Sequence, residues 1–494
     1  MHRILGKKLL QRTNLALFAT FCVIRFVFAF AQRSSFHADE HWQGPEVAYR
    51  MVFGSTDKTW EWLDTVALRS HLHPLMFAIP YYIAAALHLD SPLVIAYGPR
   101  FVQGVLTAIG DLCFYLIAKK VAGVNTSALA TTCYITSWFS VYTLCRTTSN
   151  AADTAITLLG LYYYTVNLPV LTALAAAVCF IMRPPSALFW LPICISISLS
   201  YPLRTTARCL LAALLFILGV CCLDRWCYGV EAGWLAPWNF LKYNIVFGIA
   251  KEYGEDPWHY YLLSFFSHYL VYSPWVIREI SRLPRPWLFG LALSFVVLSF
   301  SSHKELRFIT PLFAVVSLSA GPGLFFLSKF RLVMLASAAI HAGAAVYGAR
   351  LQGLAGETIT ASLRYEAKPD DKVLFLGCHQ SPFNAFMHMA KLKLSYLDCS
   401  PYPVRTSAVS DRDLFQADPV GWLRSAEGRK VEDFDWVVVD SQAQQNEEFM
   451  YRLKSLGDFQ DIKVLDGLVG DDASGSGVVF GSFFRLLKRV PVRL

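Results

Sequence analysis

The feature that most constrains this chain is a succession of apolar segments joined by short polar connections, starting near Asn14 and running to about residue 348. Helices that are apolar on every face need lipid around them, because a water-facing helix must be polar on one side. After a first span from Asn14 to Ala31, further apolar segments lie at 72–90, 98–118, 126–145, 150–166, 169–182, 186–200, 205–223, 259–280, 284–300, 305–328 and 330–348. Composition agrees: 55% of residues are hydrophobic and only 16% charged, with a mean hydropathy of +0.41. Residues 351–494 carry 37 of the Asp, Glu, Lys and Arg side chains. The sequence therefore divides into a membrane body, 1–349, and a water-facing C-terminal domain, 350–494.

The net charge of +8 does not mark a nucleic-acid binder, because the basic residues sit in short loops between apolar spans, the positive-inside pattern. No small-residue cleavage site precedes Gln32-Arg33, so the first span, preceded by Arg3, Lys7, Lys8 and Arg12, is expected to be a retained anchor with a cytosolic N-terminus. Arg204 with Arg208, Arg278 with Arg282 and Arg285, and Lys329 with Arg331 mark cytosolic turns. Loops 35–71 and 224–258, residues 301–305 and the C-terminal domain then fall on the luminal side. Lys119-Lys120 is also cytosolic, which fits only if 72–90 re-enters the membrane or lies along it. About 10–11 spans result, several of them shorter than the ~20 residues of a perpendicular crossing.

Two polar clusters share the luminal side. His37-Ala38-Asp39-Glu40-His41-Trp42-Gln43, with Thr59-Trp60-Glu61-Trp62 downstream, sets two adjacent carboxylates at the membrane surface. Such carboxylates are costly to desolvate, and flanking histidines and indoles suit a sugar or lipid phosphate. The alternative is a solvated loop with interfacial Trp anchors. Pro45, the repeat Val47, Ala48, Met51 and Val52, and Gly54 predict an interfacial helix with Glu46 and Arg50 facing water. The second cluster, Ser301-Ser302-His303-Lys304-Glu305-Leu306-Arg307, gathers three potential cations at a helix start, an arrangement that suits phosphate.

These residues resemble a known family. His37–Glu40, Val52-Phe53-Gly54, Thr59–Trp62, Arg69-Ser70 and His303–Ile309 resemble the motifs of eukaryotic mannosyltransferases that use dolichyl-phosphate mannose. The resemblance implies an α-helical polytopic membrane protein of the C-type glycosyltransferase superfold, here with a small C-terminal α/β domain. Asp224–Gly229, Trp238–Asn244 and Asp256–Tyr261 resemble the family's large luminal loop, and Arg183-Pro184-Pro185-Ser186 its Arg-Pro-Thr turn, departing at the third residue.

Two features resemble the branch that adds the third mannose, in α1,2 linkage, to the glycosylphosphatidylinositol (GPI) precursor in the endoplasmic reticulum lumen. These are Asp39–Gln43, with His41 replacing Tyr, and the segment Gly377–Phe383 followed by Leu397–Pro401, with Asp398 divergent. A mannosyltransferase of dolichol-linked oligosaccharide assembly is the competitor within the family, and a lipid or sugar transporter is the rival of another class. A transporter should show repeated halves and polar groups at mid-membrane, and neither is evident.

From this resemblance follows an inverting transfer with Asp39 or Glu40 as general base and His303, Lys304 and Arg307 on the donor phosphate. His37, His41, Trp42, Gln43, Trp60, Glu61, Arg183, Trp258 and His259 are expected to contact substrate. No metal, cofactor or nucleic acid is expected, since the histidines lack a ligand spacing and no nucleotide fingerprint occurs.

The C-terminal domain is expected to carry strands at 372–376, 434–439, 462–465 and 477–484, with helices near 382–393 and 444–456. Cys378 and Cys399 read as a disulfide or two buried thiols rather than a Cys-His catalytic pair. Asn125-Thr126-Ser127, beside a cytosolic basic pair, is expected to be an unused sequon.

Overall fold

The computed structural model describes residues 2–32, 39–54, 58–121, 123–229, 235–269, 273–319, 336, 339–346, 362–376, 392–397, 401, 404, 411–424, 431–440, 443–457, 459–469 and 479–489. His37, Cys378 and Cys399 lie outside them. The chain packs as two units, and these do not follow the compositional boundary at 349/350. One comprises Met1–Ala31, Asp64–His73 and Arg100–Val346, and the other Gln32–Leu63, Pro74–Pro99 and Tyr347–Leu494.

The first unit is helical. Among the described residues, three helices are long and apolar enough to cross a membrane: residues 12–31 of α1 (His2–Ala31), α5 (Pro92–Val121) and α11 (Leu203–Tyr228). Shorter apolar helices include α9 (Pro169–Met182) and α15 (Arg285–Ser299), and α4 (Leu72–Ala86), which belongs to the second unit from Pro74 on. With 15 residues, α4 is shorter than a perpendicular crossing needs.

One expected span is interrupted. Segment 126–145 becomes α6 (Val124–Thr136) and α7 (Trp138–Thr143), separated at Ser137, whose hydroxyl caps the second piece by accepting from the Ser140 N–H at 3.3 Å. Within segment 259–280 the described residues form α13 (Tyr260–Tyr269) and α14 (Ser273–Glu279).

An ion pair inside the apolar body ties three of these helices. Arg25 of α1 donates from Nε and Nη2 to both Asp111 carboxylate oxygens of α5, at 2.7 and 2.8 Å, and from Nη1 to the Ser140 carbonyl of α7. All three residues are buried, so each charge has its partner and its remaining hydrogen bonds.

Elsewhere small residues let backbones meet. A Cβ at Gly290 of α15 would lie 2.3 Å from the Phe189 carbonyl of α10 (Ala187–Ser200), and one at Gly160 of α8 (Ser149–Thr165) 2.6 Å from Trp190.

In the second unit, a five-stranded sheet runs in the order β2-β1-β3-β5-β4, from β1 (Lys372–Leu376), β2 (Lys393–Tyr396), β3 (Trp436–Asp440), β4 (Phe459–Val469) and β5 (Val479–Arg489). β1 pairs in parallel with β2 and β3, and β5 runs antiparallel to β3 and β4. Both faces of β1 and β3 are covered, so alternate side chains enter different cores. Val373, Phe375, Trp436 and Val438 pack with Trp42 and Ala96, whereas Leu374, Leu376, Val437 and Val439 pack with Phe415, Trp422 and Phe449.

Composition alone had set this sheet apart from the first polar loop; the packing joins them. Near the start of α5, Pro99 has no N–H to give Ile95, and the freed carbonyl accepts from the Tyr81 hydroxyl at 2.8 Å.

Candidate functional site

In the second unit, Asp39–Trp42 forms a single helical turn, α2, and α3 (Pro45–Phe53) follows as expected, with Pro45 in its first turn. Gly54 ends it at φ 100°, its N–H bonding the Arg50 carbonyl at 3.1 Å. Glu46 departs from the expectation: it is buried rather than in water, and Val47 and Ala48 beside it are buried within the protein. A carboxylate in the first turn meets the helix's free N–H groups, which favours it there over other buried places. Burial, with Glu46 and Asp90 nearby, pushes the Tyr49 hydroxyl up to about 12.

The two sequence motifs of this loop meet. Gln43 donates from Nε2 to the Glu61 carboxylate, at 3.0 Å to Oε2, joining α2 to the 3-10 turn Trp60–Trp62. Asp39 is half-buried, whereas Glu40 and His41 are buried. Trp42 is buried too, and its ring stands edge-on to Tyr396 of β2 with centroids 5.5 Å apart. It is a packing residue of the second unit.

In the first unit, the cationic cluster is joined to loop 224–258. The Ser302 carbonyl accepts from the Asp256 N–H at 3.0 Å, the Lys304 N–H donates to Asp256 Oδ2 at 3.1 Å, and Lys304 Nζ donates to the Asp256 carbonyl at 2.7 Å and the Ser301 carbonyl at 2.5 Å. Glu305 bonds both remaining cations: His303 Nε2 lies 3.0 Å from its Oε1, and Arg307 reaches it through Nε and, at 2.8 Å, Nη2. Lys304 and Arg307 are buried, and charges so placed need such partners.

The expected helix start is also modified. A 3-10 turn, Leu306–Ile309, itself carrying Arg307, precedes α16 (Thr310–Ser317), and Pro311 removes one of the first N–H groups.

Arg183 reaches the same turn, donating from Nη2 to the Phe308 carbonyl at 3.3 Å and from Nη1 to Asp153 Oδ2 at 3.0 Å. Asp153 also accepts from the Ser186 hydroxyl at 2.6 Å, and Asn150 donates to the Arg307 carbonyl at 2.7 Å. The structure thus brings His303, Lys304, Arg307 and Arg183 to one place. Trp258 is exposed and His259 half-buried at its edge, their rings 5.6 Å apart. Asn150 and Asp153 escaped the sequence reading, and Asp256 entered it only as part of the loop motif Asp256–Tyr261. The signal for the first two was there: polar residues three apart inside an apolar segment.

The sequence profile of the Alg9-like mannosyltransferase family matches residues 16–388. The chain belongs to this family. Among this family's similar proteins, mannosyltransferase APTG1 of Arabidopsis thaliana is 30% identical over 448 residues, covering 81% of this chain and 80% of its own. The protein named GPI alpha-1,2-mannosyltransferase 3 is 28% identical in Bos taurus, over 83% of this chain and 79% of its own, and 27% in Homo sapiens, over 83% and 77%. The crystal structure of ArnT from Cupriavidus metallidurans bound to undecaprenyl phosphate matches 97% of this chain and 98% of its own, with a TM-score of 0.59 at 12% identity. That likeness gives the fold: a membrane-embedded protein of the C-type glycosyltransferase superfold, as the sequence led us to expect.

Proposed function

We propose that this mannosyltransferase transfers the third mannose, in α1,2 linkage, from dolichyl-phosphate mannose to the GPI precursor at the luminal face of the endoplasmic reticulum membrane. The observation that carries this reading is the similarity to proteins named GPI alpha-1,2-mannosyltransferase 3 over more than four-fifths of the chain. The motifs Asp39–Gln43 and Thr59–Trp62, joined through Gln43 and Glu61, lie within residues 16–388, which the family profile matches.

The chemistry follows from the linkage. The donor carries mannose in β linkage to phosphate and the product is α-linked, so the acceptor oxygen attacks the anomeric carbon from the opposite face while the carbon–phosphate-oxygen bond breaks. The acceptor's hydroxyl proton passes to a carboxylate, and dolichyl phosphate leaves as an anion. Asp39, half-buried, suits the base better than the buried Glu40. His303 and Arg307, now bonded to Glu305, would turn part of their hydrogen bonding to the leaving phosphate, with Lys304 and Arg183 holding the turn that carries them. The step is written with protein cations on the phosphate and needs no divalent ion.

The test is an assay of purified protein with dolichyl-phosphate mannose and either a two-mannose GPI acceptor or a dolichol-linked oligosaccharide. Mannose transfer to the GPI acceptor alone is expected. Transfer to the oligosaccharide alone would move the protein to the competing branch.

A further inference from the structure

The segment Ala67–His71 is held at alternate residues by three side chains that come from more than 150 positions away in the sequence. Asn239 Nδ2 donates to the Ala67 carbonyl at 3.1 Å, the Tyr228 hydroxyl donates to the Arg69 carbonyl at 2.6 Å, and the His71 N–H donates to Asp224 Oδ1 at 2.7 Å. Asp224 also lies 3.3 Å from His71 Nδ1, and the His71 ring stands edge-on to Tyr228 with centroids 4.4 Å apart. Asp224, Tyr228 and Asn239 are all buried.

Asp224 and Tyr228 are four apart on the last turn of α11, so one helix face delivers both. Asn239 comes from the short helix α12 (Ala236–Leu241).

The held segment is neither helix nor sheet, and Ala67 sits at φ 42°, in the left-handed region that alanine disfavours. Strain of this kind persists where its surroundings over-determine it, and it clusters where geometry must be exact. The strip carries Arg69, Ser70 and His71, a polar set of the kind that meets a phosphate-linked sugar. Were the strip only a connector, a relaxed turn solvated by water would serve.

We propose that Asp224, Tyr228 and Asn239 are positioning residues for the transfer step, fixing the Ala67–His71 backbone so that Arg69 and His71 are pre-aligned on a lipid-linked phosphosugar. This deepens the mannosyl-transfer reading and rests on it. Small displacements of aligned groups lower the rate of a step more than they weaken binding, so the effect belongs in kcat.

The experiment uses full-length protein in detergent or liposomes, with the wild type first assayed for mannose transfer to both the GPI and the oligosaccharide acceptor. Activity on neither would count against the transfer reading itself. The variants are compared on whichever acceptor the wild type uses, so the two failures are distinguishable. Tyr228→Phe removes the hydroxyl and keeps the ring against His71, and Asn239→Asp removes the donor at nearly constant volume. Each is expected to lower kcat about tenfold, with the KM of donor and acceptor within threefold of wild type.

Because both grip one strip, the double variant should lose less than the product of the single losses. Hydrogen exchange of the peptide spanning 66–73 should quicken in both. Normal kcat with only a lowered melting temperature would overturn the proposal, as would a loss confined to KM. Should Asn239→Asp fail to fold, Asn239→Ser takes its place under the same criteria.

Discussion

At the scale of single residues, the two charged clusters differ in how they are held. The half-buried Asp39 sits on a one-turn helix, while Arg307 and His303 share one carboxylate, Glu305. Asp39→Asn keeps the shape and removes the proton acceptor, so turnover is expected to fall by about 10²–10⁴-fold in protein that still inserts in the membrane. Near-normal turnover in Asp39→Asn beside an inactive Glu40→Gln would move the base to Glu40.

Arg307→Ala removes a charge-assisted contact worth about 1.5–3 kcal/mol, so the KM for the donor should rise by roughly 10- to 100-fold, read against an acceptor titration in the same preparation. An unchanged donor KM would take Arg307 off the phosphate. The Arg307 backbone is tied independently by Asn150, so losing the side chain should leave the turn in place.

At the scale of elements, helix packing relies on places where no side chain fits. Gly290→Ala would press a methyl group onto the Phe189 backbone carbonyl, which cannot swing aside as a side-chain end can. The expected cost is about 1–3 kcal/mol, seen as a lowered midpoint of thermal inactivation. A variant as stable as wild type would mean that α10 and α15 separate freely.

Most element positions were legible from hydropathy and turn chemistry. The strand Lys372–Leu376 and the helix Pro45–Phe53 fall where the pattern puts them. The break at Ser137 was hidden because apolar residues flank it on both sides, and β2 because Lys393-Leu394-Ser395-Tyr396 is too short and mixed to show a period. Of the site, charged motifs in polar loops could be read from the chain. The role of Asp256 and the grip on Ala67–His71 could not, since each works through backbone groups of residues distant in sequence.

For the molecule as a whole, the catalytic reading requires both charged clusters on one side of the membrane. Glycosylation sequons engineered near Ser55-Thr56 and near Gly475 should be modified, and one near Arg282 should not, as judged by glycosidase-sensitive mobility shifts. An unmodified sequon at Ser55-Thr56 would put a bilayer between Asp39 and the proposed phosphate cations.

The packing of Trp42 against Tyr396 also has a consequence for biosynthesis. The segment carrying Asp39 leaves the ribosome among the first residues, yet the strands that cover its indole are made hundreds of residues later. Until those strands are made, the Trp42 indole lacks the strand side chains that pack with it in the folded chain. A chain stopped at residue 349 should therefore integrate its spans and remain inert in the mannosyl-transfer assay, its base loop never set. Activity is then expected only in chains that have completed β1, β2 and β3, whose side chains pack with Trp42.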